Sequence, residues 1–246
     1  MKGCAVIVFA RAPIAGQAKT RLAGGLGAAG AAALAERMLV HAVAQAAAAG
    51  CEGLELCVTP DGAAHPVFVE LGRAHPALRI TGQGEGDLGE RMARALERTL
   101  RLHRAALLMG TDAPGLDAAM IRQAGAAVTA VEAVGAVTPV GAGHDAVFVP
   151  ALDGGYALVG LARPAPELFA GMAWSTPQVM QHTRARAARA GLRIAELAPV
   201  ADIDVPEDLV YLPPAWRREL GITVPGPVPV PNSNPNPNES IRENST

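Results

Sequence analysis

Three cations stand close together in Arg11-Ala12-Pro13-Ile14-Ala15-Gly16-Gln17-Ala18-Lys19-Thr20-Arg21, directly after the apolar run Cys4-Ala5-Val6-Ile7-Val8-Phe9-Ala10. The run reads as a strand buried on both faces, and the cationic segment as a loop leading into a helix. In open α/β sheets ligands settle at the carboxyl ends of the strands. A loop there carrying Arg11, Lys19 and Arg21 therefore calls for an anionic ligand, phosphate above all. Gly16 would let the backbone approach that ligand, and Pro13 would stiffen the turn. The same residues also suit a plain strand-to-helix connection with surface cations, and spacing alone does not separate the two.

Two familiar phosphate loops are excluded. A dinucleotide fingerprint needs G-x-G-x-x-G after the strand, but only Gly16 lies in this loop, and Gly24 and Gly25 arrive too late. A Walker A loop needs G-x-x-x-x-G-K-[ST]; Lys19-Thr20 supplies its last two letters, but Ala18 stands where the second glycine belongs. The loop must then work through its side-chain cations.

A second apolar run, Ala105 to Met109, ends in Gly110-Thr111-Asp112. A carboxylate at the carboxyl end of a central strand can hold Mg²⁺ or Mn²⁺ against a diphosphate, because both partners are hard oxygen chemistry. Asp112 could equally cap the turn before Pro114. Between the two runs lies Gln83-Gly84-Glu85-Gly86-Asp87, followed by a helix predicted from Leu88 to about Leu102. Asp87 and Glu90 have capping-box spacing, which makes Asp87 a structural cap. A helix start facing the cleft would also offer free N–H groups to a ligand, and Gln83 is suited to reading the edge of a base. Of the arginines at 91, 94, 98, 101 and 104, only Arg91 is a site candidate. The others read as a solvated face paired with Glu90 and Glu97.

Strands and helices alternate around these groups. A helix is expected over Gly27 to Gly50, a strand at Leu54 to Thr59, a short helix at Val67 to Leu71 and a strand at Leu78 to Thr81. Further on come a helix capped by Asp117, strands at Ala146 to Ala151 and Tyr156 to Leu161 joined by an Asp-Gly-Gly turn, and a last strand at Arg193 to Leu197. A helix is also expected to open at Trp174-Ser175-Thr176-Pro177, with Ser175 or Thr176 as cap and with Trp174 filling the core rather than stacking on a ligand, the two uses its ring allows. Asp204 and Glu207 have capping-box spacing as well. The alternation implies one α/β domain over 1–224, with a mixed, mostly parallel sheet of about seven strands and helices on both faces. Residues 134–143 form a glycine-rich connection, and the Pro, Asn and Ser composition of 225–246 reads as a disordered tail.

Composition narrows the partners. The net charge of −2 over 246 residues, without a basic run, argues against nucleic acid. Three cysteines and six scattered histidines have no metal-type spacing, and the cysteines read as buried thiols in a reducing compartment. No apolar stretch reaches the ~20 residues of a membrane span, and the N-terminal run is too short for a signal peptide. A cytoplasmic protein is expected.

The string Phe9-Ala10-Arg11-Ala12-Pro13…Gly16…Lys19-Thr20-Arg21-Leu22 resembles the signature loop of a bacterial family with a glycosyltransferase-A fold, labelled radical-SAM/selenodomain-associated transferase. It is more distantly similar to 2-phospholactate and molybdenum-cofactor guanylyltransferases. Gln83 with Gly86-Asp87-Leu88-Gly89-Glu90-Arg91-Met92, Gly110 to Leu116, Pro150 to Tyr156, Trp174-Ser175-Thr176 and Asp202 to Leu209 stand in the family's order. Val149 departs from it, standing where the family usually has glycine. The resemblance implies a metal-dependent glycosyltransferase using a nucleotide-diphospho-sugar, or a nucleotidyltransferase acting on a nucleoside triphosphate and a small phosphorylated or anionic substrate. It makes Ala10, Arg11, Pro13, Gly16, Lys19, Arg21, Gln83, Asp87, Leu88 and Arg91 nucleotide contacts. Asp112 and Asp204 become the holders of Mg²⁺ or Mn²⁺, with Asp202 behind them. Asp153, Gly154, Gly155 and Tyr156 become contacts to the sugar or to a small-molecule acceptor, with Lys19, Asp112 and Asp153 as the catalytic groups.

Overall fold

A computed structural model describes residues 2–61, 65–130 and 143–223. The connection expected at 134–143 lies almost wholly, and the tail from 225 entirely, outside the described residues. Strands β1 (Lys2–Arg11), β2 (Gly53–Thr59), β3 (Leu78–Gly82), β4 (His103–Met109), β5 (Ala146–Pro150), β6 (Tyr156–Leu161) and β7 (Ile194–Glu196) form one sheet in the order β3-β2-β1-β4-β6-β5-β7. β6 is antiparallel to β4 and β5, while the remaining neighbours are parallel. This is the mixed, mostly parallel sheet that the alternation predicted.

Six α-helices accompany it among the described residues: α1 (Ala23–Ala48), α2 (Pro66–Ala74), α3 (Leu88–Leu100), α4 (Ala118–Thr129), α5 (Val179–Arg189) and α6 (Pro214–Glu219). Successive side chains of β1 point to opposite faces. Val6, Val8 and Ala10 pack with α1, α2 and α4, whereas Ile7 packs with α3 and α5. Val6, Ile7 and Val8 are fully buried, and burial of such side chains stabilises by roughly 1.5–3 kcal/mol each. The strand that aims the cationic loop is thus among the most firmly held parts of the molecule.

A third cluster decides the site. Leu22, Ala31, Leu34 and Met38 bury against Ile203, Leu209, Leu212 and Trp216. It docks the segment after β7 beside the N-terminal half of α1, next to the loop after β1. Gly27, at φ 69°, is the joint from which the long run of α1 starts, and Gly50, at φ 72°, ends it.

Four expectations are corrected. Among the described residues one helix, Thr20–Ala48, is long and apolar enough to cross a membrane by length and composition. Its Leu34, Met38, Leu39 and Val43 are buried inside the protein, and its alanines raise the hydropathy without demanding lipid. The helix expected to open at Trp174 starts instead at Val179. Ser175 takes the left-handed φ of 61° and Thr176 Oγ1 donates to the Ala173 carbonyl, so 174–177 is a loop. Of the α3 arginines, Arg101 does pair with Glu97, but Arg98 reaches under the helix to Glu55, and Arg94 donates to the carbonyls of Gln83 and Glu85. Finally, Asp208, not Glu207, completes the cap after Asp204. Its Oδ2 accepts the N–H groups of Asp204 and Val205, both at 2.8 Å. The contacts seen for the Asp204 side chain are with Lys19 and Arg21.

Candidate functional site

The loop after β1 turns tightly before it reaches Lys19. Gln17 and Ala18 both donate to the Ile14 carbonyl at 2.9 Å, Gly16 sits at φ 77°, and Pro13 is buried. Lys19 takes φ 49°, ψ 43°, and a short 3-10 turn, Thr20–Leu22, buries Leu22 completely. Left-handed backbone costs a non-glycine residue about 1–2 kcal/mol, and here it turns the Lys19 side chain inward. Its Nζ lies 2.8 Å from Asp112 Oδ2 and 2.7 Å from Asp204 Oδ1. Burial pulls the ammonium towards neutrality, but the two carboxylates outweigh it and hold Lys19 above its ordinary value.

Asp112 and Asp204 come from distant parts of the chain and are tied by backbone. Ile203 N–H donates to the Asp112 carbonyl at 2.9 Å, and Val200 N–H to the Pro150 carbonyl at 3.0 Å. Thr111 Oγ1 donates to Asp112 Oδ1. Arg21 stands farther off, its nearest nitrogen 3.8 Å from Asp204.

The Asp-Gly-Gly hairpin joins β5 to β6 as expected. Asp153 Oδ1 accepts the Gly155 N–H at 2.8 Å, and Gly154 lies at φ 93° with its carbonyl taking the Met180 N–H of α5. A Cβ on Gly154 would run into the Pro177 carbonyl. Gly154→Ala should therefore destabilise the protein by about 1–2 kcal/mol, read as a lower urea midpoint at unchanged slope; an unshifted midpoint would show that the hairpin yields at little cost. Tyr156 packs between Phe148 and Trp174, and burial raises its phenol pKa, keeping it protonated. Burial, and then the charge of Asp153, push the Asp202 carboxyl up to about 6.

At the start of α3, Asp87 and Glu90 form the expected capping box. The expectation that Gln83 reads a base edge meets a different geometry. Gln83 is buried, its Nε2 donates to the carbonyls of Ala10 and Cys57, and its Oε1 accepts from Arg91. Its amide ties the ends of β1 and β2 together, and Arg91 is occupied in holding it.

Two adjoining cavities result. The first, of about 460 Å³, is lined by Phe9, Arg11, Gln17, Lys19 and Thr20. The second, of about 540 Å³, is lined by Leu88, Met92, Asp153, Tyr156, Trp174 and Asp202. Arg21, Gly110, Asp112, Ser175 and Asp204 belong to both and form the ridge between them. Of the predicted residues, Arg11, Lys19, Arg21, Asp112 and Asp204 converge on the first, and Leu88, Asp153, Gly155 and Tyr156 on the second. Ala10, Pro13, Gly16, Gln83, Asp87, Arg91 and Gly154 line neither cavity; the roles seen for them are in the backbone and its supports. Trp174 packs against the core, as expected, and also lines the second cavity, where sequence reasoning missed Ser175, Thr176 and Met92. The signal for the first two was the Trp-Ser-Thr string itself.

Among the described residues, no group of three or more His, Cys, Asp or Glu is placed to hold a metal. Two carboxylate oxygens do converge on one point, the one that Lys19 Nζ holds. Mg²⁺ is commonly bound by one or two carboxylates together with waters and substrate phosphates, so the pair fits a cation that arrives with a phosphate ligand.

Residues 42–176 match a family described as uncharacterized protein conserved in bacteria, DUF2064. No curated protein matches the chain in sequence. Among solved structures, a candidate nucleotide-diphospho-sugar transferase from Desulfovibrio desulfuricans G20 is 27% identical, with a TM-score of 0.73 over 89% of this chain and 91% of that one. A CMP:2-keto-3-deoxy-manno-octonic acid synthetase complexed with CTP is 12% identical, TM-score 0.53, over 88% and 99%. A 4-diphosphocytidyl-2C-methyl-D-erythritol synthase from Anaerococcus prevotii is 8% identical, TM-score 0.55, over 85% and 94%. The fold is that of nucleotide-diphospho-sugar transferase-like proteins.

Proposed function

The chain belongs to the bacterial DUF2064 family, and from that footing we propose that it is a metal-dependent glycosyltransferase using a nucleotide-diphospho-sugar donor. The observation that carries this reading is the junction of a cationic cavity with an acidic, aromatic one across Asp112 and Asp204. Arg11, Lys19 and Arg21 would neutralise the donor's diphosphate, and Asp112 and Asp204 would hold Mg²⁺ or Mn²⁺. The cation, when bound, supplies a Lewis acid that stabilises the departing diphosphate. An acceptor hydroxyl attacks the anomeric carbon as the bond to the diphosphate breaks, and Asp153, with Asp202 beside it, takes the hydroxyl proton. Tyr156 and Trp174 offer the flat apolar faces on which a sugar ring rests.

The acidic cavity favours glycosyl over nucleotidyl transfer. A phosphorylated acceptor would meet Asp153 and Asp202 as like charges, whereas a neutral polyol can donate hydroxyl hydrogen bonds to both. Nucleotidyl transfer, with attack on an α-phosphate and release of pyrophosphate, is the rival reading, favoured by the synthetases that share the fold. A panel of nucleotide sugars and nucleoside triphosphates, each with Mg²⁺ and with Mn²⁺, separates them. Release of a nucleoside diphosphate from a sugar nucleotide is expected; pyrophosphate release from a triphosphate would replace this reading with the rival.

Lys19→Ala should weaken nucleotide binding by about 2 kcal/mol, within the range for hydrogen bonds to charged groups. Calorimetric titration checks this, and an unaltered affinity would remove Lys19 from the phosphate site.

A further inference from the structure

The point at which a divalent cation would sit is held by the protein's own cation. Lys19 Nζ is within hydrogen-bond distance of both carboxylates, at 2.8 Å and 2.7 Å. The Lys19 side chain is 9% exposed, while those of Asp112 and Asp204 are 47% and 42% exposed. The carboxylates thus open on the cavities and the ammonium plugs the gap between them. Mg²⁺ takes its oxygens at about 2.0–2.1 Å, so metal and ammonium cannot share this point. Charge says the same: two carboxylates face Lys19 and, at 3.8 Å, Arg21, which leaves little net attraction for a bare divalent ion. Lys19 also lines the cationic cavity, so the side chain that plugs the pair borders the space assigned to the phosphates.

We propose that Lys19 is the resident counter-ion of the Asp112–Asp204 pair, and that a divalent cation enters only when the phosphates of a nucleotide draw the ammonium away. This rests on the reading of that pair as the metal holder. Nucleotide and metal then bind as a unit, and by linkage each raises the affinity for the other by the same factor. The free protein is kept from taking up metal that has no nucleotide to act on.

Mn²⁺ is titrated into the wild-type chain, Lys19→Ala and Lys19→Asn, with free Mn²⁺ followed by its paramagnetic resonance signal and folding checked by thermal melting. Asn adopts left-handed backbone readily, which covers the case in which alanine fails to fold. Each protein is measured alone and with UDP, GDP and CDP in turn, after correction for Mn²⁺ bound by the nucleotide itself. Alone, the variants are expected to bind Mn²⁺ about tenfold or more tightly than the wild type, and the wild type to gain at least that factor from the nucleotide it accepts. Wild-type binding alone as tight as that of the variants would overturn the exchange and leave the metal reading standing. Wild-type binding that appears only with nucleotide, while the variants stay weak without it, would do the same. No Mn²⁺ binding by any protein under any condition would overturn both.

Discussion

Asp112→Asn is expected to lower turnover by about 10²-fold or more, equivalent to about 2.7 kcal/mol of transition-state stabilisation, while leaving the melting temperature nearly unchanged. Asn keeps the size of the side chain and can still accept from Thr111, whose hydroxyl lies 3.2 Å from Asp112 Oδ1. What it removes is one of the two charges that face Lys19 and would face a metal. Lys19 retains Asp204 at 2.7 Å, so its buried ammonium is not stranded. Asp204→Asn should have an effect of similar size, and the double substitution should cost little more than either alone, because groups that hold one ion act as a unit. Steady-state kinetics across Mg²⁺ concentrations measure all three. Normal turnover and metal dependence in Asp112→Asn would leave the proposed transferase without its cation, and the same result confined to Asp204 would return that residue to its loop.

The largest stability effect is expected far from the cavities, at Glu55. This carboxylate is 5% exposed on the α3 side of β2, where it accepts from Arg79 at 2.5 Å and Thr81 at 2.6 Å and pairs with Arg98. Arg79 stands directly across in the β2–β3 register. Glu55→Ala should cost about 3 kcal/mol, the lower end for a broken buried pair, since the half-exposed Arg79 can turn to water but Arg98 is left under α3. Burial would raise the Glu55 pKa, but the hydrogen bonds from Arg79 and Thr81 and the charge of Arg98 prevail and hold it below the ordinary range. An unfolded glutamate protonates near pH ~4.3, before the folded one does. The contribution of Glu55 is therefore complete above that pH and is lost as pH falls through the folded value. The gap between wild type and Glu55→Ala should be widest at neutral pH and close in acid, as read from urea midpoints at a series of pH values. A gap of the same size at every pH would mean that Glu55 acts through packing rather than charge.

Much of this protein is determined locally. The unbroken apolar runs at Val6–Val8 and Ala105–Met109 specify central strands, because only a strand covered on both faces buries every residue it has. Asp87 and Asp117 announce their helices through spacing that one side chain can satisfy, and Asp153-Gly154-Gly155 announces its hairpin through backbone that glycine tolerates. That Arg11, Lys19, Arg21 and Asp112 gather at one end of the sheet, where they line one cavity, was legible for the same reason: each lies just beyond a strand whose direction its own neighbours set. What the tertiary structure alone decided is which of these groups meet. Asp204 reaches Lys19, 185 positions away, only because Leu22, Leu34 and Met38 bury Ile203 and Leu209. Gln83 looked free for a ligand, and it is spent on carbonyls of two other strands that no spacing connects to it. Trp174 meets the α3-side core as its type suggests, but it also borders the second cavity, and its neighbours Tyr156 and Gly89 come from segments that no local spacing connects to it. Local patterns carry the cost of turning one chain segment; they hold no record of which distant segment will supply the opposite charge.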